Sequence, residues 1–191
     1  MQRATLAVIK KHFGEDDGKP QDWSWEKRRA YGGVYRYHTL TSAQRQNNWK
    51  VAGSYLRLAL LADPTIRNDL DLFYDLAHGN QPVGYRDTAY QLNLEENSEH
   101  LIEMLKSIPN SLNAAEMAGV SRRALGTANY ALGLIAYNMG RFKQSRRFLF
   151  NAMRYRPGLL GDMRVLATFS KSMLSQPMLG KLRNFRRPIS S

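Results

Sequence analysis

Three groups of residues could carry chemistry. Asp69-Leu70-Asp71 has the form of an Asp-x-Asp metal string. It falls in a helical stretch just after Pro64, and two carboxylates one residue apart on a helix point about 200° away from each other. That geometry suits one metal ion poorly, so the expectation is that both acids sit near a helix N-terminus and favour its dipole. His12, His38, His78 and His100 lack an i, i+4 ligand spacing. Glu95, Glu96, Glu99 and Glu103 form an acidic helical face. A di-metal bundle would also need Glu-x-x-His partners, which the sequence lacks, so this face reads as solvated. The absence of cysteine removes disulfides, thiolate zinc sites, iron–sulfur clusters and thiol nucleophiles. No phosphate-cradling glycine loop or nucleophile elbow occurs. No metal, cofactor or catalytic residue is expected in this chain.

The charge distribution carries more information. Lys and Arg number 28 and Asp and Glu 16 in 191 residues, a net charge of +12. Residues 1–120 are close to neutral, at −1. Residues 121–191 hold 14 basic residues and one acid, Asp162, so they carry +13. Such a block calls for an anionic partner: an acidic protein surface, lipid head groups or phosphate.

Helical periodicity dominates the elements that must display these groups. The pattern predicts helices over 2–13, 23–46, 49–62, 67–78, 86–107, 120–139, 141–155 and 159–174. A polar loop covers 14–22, Asn47-Asn48 and Asp63-Pro64 interrupt the helices, and Pro177 precedes a basic tail. Leu6, Ile9 and Phe13 make the apolar stripe of the first helix. No run of about 18 apolar residues exists to span a membrane. The opening residues hold too short an apolar stretch for a signal peptide, which predicts a cytoplasmic protein.

Two segments match in register at an offset of 93. Trp49, Ala52, Leu56, Ala59 and Pro64 correspond to Phe142, Ser145, Leu149, Ala152 and Pro157. In the second segment Gly133 lets a neighbouring helix approach, Gly140 supplies a left-handed helix end, and Pro157 stops the next helix. Residues 126–159 thereby resemble a tetratricopeptide (TPR) hairpin. Residues 33–66 resemble a degenerate one, with Leu40 in place of the close-packing glycine and Asn47 in place of the turn glycine. The expected fold is all-α, with irregular TPR-like hairpins and extra helices. Residues 1–178 would form one domain and 179–191 a basic tail.

The order of parts is similar to the helical region that follows the catalytic domain in bacterial family 2 glycosyltransferases. That resemblance rests on the hairpin ending Leu58 to Pro64, the block Ala131 to Pro157 and the tail Lys181 to Arg187. It implies a non-catalytic accessory or interaction region whose catalytic domain lies outside this chain. A free-standing TPR-like adaptor and a nonspecific binder of anionic surfaces remain open beside it.

Two candidate sites follow. Tyr130, Leu134 and Tyr137 lie at i, i+4, i+7 on one face, and Tyr37, Thr41 and Gln44 hold the matching places in the weaker hairpin. Together these would line a groove for a peptide partner. The basic candidates are Arg141, Lys143, Arg146, Arg147, Arg154, Lys181, Arg183, Arg186 and Arg187. In the tail, Leu179, Leu182 and Phe185 stand among the cations. That mixture suits peripheral contact with an anionic inner membrane. Nucleic acid is not the expected partner, because no helix-turn-helix, RNP motif or stacking platform is present.

Overall fold

The computed structural model describes residues 2–79, 92–108 and 114–173. Every element among them is helical: α1 (Gln2–Phe13), α2 (Trp25–Gln44), α3 (Trp49–Ala62), α4 (Leu70–Ala77), α5 (Leu94–Ser107), α6 (Ala114–Asn138), α7 (Phe142–Tyr155) and α8 (Met163–Met173), with 3₁₀ turns at Pro20–Asp22, Pro64–Asn68 and Pro157–Gly161. Short polar side chains set several starts, each accepting a backbone N–H from the first turn. Ser24 caps α2 through Lys27, Asn48 caps α3 through Val51, Asp69 caps α4 through Leu72, and Asn93 caps α5 through Glu96.

Boundaries differ from the periodicity in four places. The helix expected over 67–78 is a 3₁₀ turn followed by α4, because Asp69 is extended and caps a new helix. The stretch 159–174 divides in the same way at Asp162. α6 starts at Ala114 rather than near 120, since Gly119 lies on an exposed face and does not break it. The helix expected over 86–107 starts at Leu94, because Asn93 caps a new helix there; residues 86–91 lie outside the described residues, as does the tail.

The offset of 93 extends to the backbone. α3 and α7 are both 14 residues long and begin at Trp49 and Phe142. The turns Pro64–Asn68 and Pro157–Gly161 follow in the same register, and then Leu70 and Met163 open α4 and α8. Before α3 and α7 stand two residues of positive φ, Asn47 at 46° and Gly140 at 72°. Asparagine tolerates this left-handed region better than other residues with a side chain, so it fills the place of the turn glycine.

Each pair, α2 with α3 and α6 with α7, is closed by glycine. A Cβ on Gly133 would lie 2.7 Å from Leu149 Cδ2, and one on Gly126 would lie 2.7 Å from Arg156 Cβ. In the first pair the close approach is at Gly32, whose added Cβ would meet Asp63 Cβ at 2.7 Å, while Leu40 is an ordinary buried core residue. The expected loss of close packing at Leu40 is therefore made good two turns earlier.

The main core joins α2 to α6 through Tyr31, Leu56, Leu60, Phe73, Leu101, Leu132 and Ile135. A smaller cluster of Leu149, Ala152, Leu159 and Val165 lies under α8. Leu6 and Ile9 of α1 pack on the main core, whereas Phe13 is 37% exposed and leaves the expected stripe. α6 is the central strut, packing against α7 on one side and against α4, α5 and the Pro64–Asn68 turn on others. Three hydroxyls tie it in: Thr127 donates to the Arg67 carbonyl at 2.7 Å, Ser121 to the Leu105 carbonyl at 2.7 Å, and Ser145 of α7 to the Gly133 carbonyl at 2.9 Å.

Candidate functional site

The residues expected to share one groove sit in two places, one in a first unit of α2, α3 and α4 and the other in a second unit of α6, α7 and α8. Gln44 is buried and donates from Nε2 to the Asp75 carbonyl of α4 at 2.7 Å. Thr41 is buried and donates to the Tyr37 carbonyl at 3.0 Å. Tyr37 is half-buried, its ring 5.8 Å from that of His38. In the second unit Tyr130 packs on the small cluster under α8. Burial raises its phenol pKa, with a smaller contribution in the same direction from Asp162. Leu134 is half-buried, and the Tyr137 ring lies 5.5 Å from Phe142. Gln44 is thus committed to α4 and Tyr130 to the apolar cluster under α8.

The acids fall into structural roles. Asp69 accepts from Leu72 N at 2.9 Å and from Arg36 Nε at 2.6 Å, and Asp71 stands in the first turn of α4. Among the described residues no group of three or more His, Asp or Glu side chains is placed to hold a metal ion. His38 is fully buried between the rings of Tyr37 and Tyr55. Neither of its ring nitrogens meets a hydrogen-bonding group among the described residues. Burial holds its pKa below the ordinary histidine value.

The basic residues divide by what they touch. Arg146 Nη1 donates to the Ser172 carbonyl at 2.5 Å, holding the end of α8 on α7. Arg147 stands over the Phe148 ring and lines a groove of about 630 Å³ opposite Glu99 and Glu103 of α5. Arg141, Lys143 and Arg154 are exposed, and so are Arg164 and Lys171 of α8, which the spacing argument did not single out. Among the described residues these five have no carboxylate partner, whereas Arg29 and Arg36 of α2 pair with Asp63 at 3.6 Å and Asp69 at 2.6 Å. Phe150 stands 60% exposed on the same helix, one turn from Arg147 and Arg154. Lys181, Arg183, Arg186 and Arg187, with Leu179, Leu182 and Phe185, lie outside the described residues.

A groove of about 580 Å³ between α3 and α5 was not legible from spacing. Trp49 stacks on His100 there with ring centroids 5.3 Å apart, beside Arg57 and Glu103. The two rings are 51 positions apart in the chain, and nothing local links them. No helix among the described residues is long and apolar enough to cross a membrane.

These features define an all-α protein of two similarly built helical units, the second presenting cations without a carboxylate partner among the described residues. No family model, curated protein or solved structure matches the chain.

Proposed function

We propose that the chain is a helical interaction module, without a catalytic set of its own, that holds an acidic protein surface against its second unit. In the TPR-like frame of the accessory regions it resembles, that surface belongs to a family 2-type glycosyltransferase catalytic domain, and the module positions that domain. The observation that carries this reading is the set of five exposed cations, Arg141 at the start of α7 and four on α7 and α8, without a carboxylate partner among the described residues. Like charges without nearby carboxylates repel each other in the free protein, and an acidic partner relieves that repulsion.

The test is titration of the purified chain with a fluorescent polyglutamate peptide, a DNA duplex and acidic vesicles. Polyglutamate binding is expected at about 0.1 M salt and should fade towards about 1 M, as the Debye length falls from about 10 Å to about 3 Å. It should vanish when Arg141, Lys143, Arg154 and Lys171 are all changed to Glu. No polyglutamate binding, or binding indifferent to that reversal, overturns the proposal. Tighter binding to duplex or vesicles than to polyglutamate replaces it with a general binder of anionic surfaces. Turnover of a nucleotide sugar that disappears in Asp71→Asn overturns the non-catalytic part.

A further inference from the structure

The second unit repeats the first on its inner side and departs from it on its outer side. Ile66 and Leu159, 93 residues apart in corresponding turns, are both buried, as are Leu72 and Val165 at corresponding places of α4 and α8. Outside them the environments diverge. α5 and α6 pack on α4, where Phe73, Leu76 and Ala77 are fully buried. Thr127 of α6 also donates to the Arg67 carbonyl of the turn. In the second unit the counterparts of Phe73 and Leu76 are Leu166 and Phe169, which are only half-buried, and the counterpart of Ala77 is Ser170, which is exposed. Leu160 is 55% exposed, Met163 75% and Met173 60%.

We propose that the Pro157–Gly161 turn and the outer face of α8 dock one amphipathic helix of a partner protein, seated as α6 sits on the Pro64–Asn68 turn and α4, with carboxylates along one edge. This rests on the acidic-partner reading above and names the form and seat of that partner. The chain supplies the template, because α6 on α4 is a helix packed on this same turn-and-helix surface. Small side chains at Ala167 and Ser170 permit close approach along the middle of the face, and Leu160 and Met163 offer the apolar contact.

Charge selects the occupant. Arg164 and Lys171 lie at i, i+7 along one edge of α8, both exposed. Residues 174–191 carry Lys181, Arg183, Arg186 and Arg187 and no acid, so this chain's own tail would set like charges against that edge. A second copy docking head to tail would have to offer α2, where α1 already packs and the Tyr31 hydroxyl is tied to the Gly14 carbonyl. A separate helix with acidic residues meets both the apolar face and its basic edge.

The probe is a labelled synthetic peptide of residues 117–138 carrying Arg122→Glu and Arg123→Glu, both exposed in α6, which keeps the buried residues of α6 and adds carboxylates. Its control has the same composition with the apolar residues shuffled out of helical period. Binding to the full chain is measured by fluorescence anisotropy at about 0.1 M salt. The helical peptide should bind at least about tenfold tighter than the control, and Leu160→Asp and Met163→Asp should each lose about tenfold, as removing a buried apolar anchor does. Both substituted residues are exposed, so unchanged melting of the variants is expected and separates a lost seat from a lost fold. Equal binding of the two peptides, or binding unchanged by Leu160→Asp and Met163→Asp, overturns the seat while leaving the charge reading standing. Neither peptide binding while polyglutamate still does overturns it in the same way. If removal of residues 174–191 raises affinity about tenfold, the tail is the occupant and the proposal falls. Self-association abolished by Met163→Asp would assign the face to a second copy and overturn it as well.

Discussion

Replacing Gly133 by Ala adds one methyl group where α6 and α7 cross. The new Cβ would stand 2.7 Å from Leu149 Cδ2, 2.8 Å from its Cγ and 3.4 Å from its backbone nitrogen. Ordinary carbon contacts lie at about 3.5–4.0 Å, so Leu149 must yield by roughly 1 Å. It has no room to do so, being fully buried in the small cluster under α8. The neighbouring carbonyl is also pinned, because Gly133 O accepts from the buried Ser145 hydroxyl at 2.9 Å. Overpacking of this kind costs about 1–3 kcal/mol. Alanine recovers about 0.5–1 kcal/mol over glycine inside a helix. Gly119→Ala in the same helix isolates the packing contribution, since Gly119 is exposed and a Cβ there meets nothing within 4 Å. The helix-propensity gain is common to both variants, so their difference is the packing cost of about 1–3 kcal/mol. For a domain of this size that separates the melting temperatures by about 2–12 °C. Urea titration followed by far-UV circular dichroism should show Gly119→Ala above the parent protein and Gly133→Ala below it, with a common m-value. A Gly133→Ala protein as stable as Gly119→Ala would refute the close crossing of α6 and α7.

Three further outcomes follow from named contacts. His38 has a folded pKa below its ordinary 6.5 because it is buried. As pH falls the unfolded chain therefore takes up the proton first, so stability is complete above about 6.5 and declines from there towards the folded pKa. His38→Phe should remove that part of the slope between pH values of about 7.5 and 5, and a slope identical to the parent's in urea midpoints would disprove it. Thr127→Val deletes the hydroxyl that links α6 to the Arg67 carbonyl and should cost about 1 kcal/mol in the same titration; no change would mean that the bond does not join the units. Asn47 holds a φ of 46°, so Asn47→Gly should be neutral or stabilising, while Asn47→Val should lose about 1–2 kcal/mol, and equal melts for the two would contradict the left-handed turn.

By itself the sequence determined the helical class, where the helices stop and the register of the two units. Those depend on neighbours in the chain: apolar residues at a 3.6 period, Asn47 and Gly140 at left-handed turns, and Pro64 and Pro157 as stops. It also located the basic block, because charge is additive along a chain. Only the tertiary structure decided which of those residues are available. Gln44 and Tyr130 suit a groove by spacing, yet one is bonded to the Asp75 carbonyl and the other packs under α8. Arg146 and Arg154 are both cations on α7, but the first is spent on the Ser172 carbonyl and the second is exposed. The pairing of Trp49 with His100, and the covering of α4 but not, among the described residues, of the outer face of α8, depend on helices brought together from distant positions. Local periodicity says which side of a helix is apolar; what covers that side is set by the path of the chain through space.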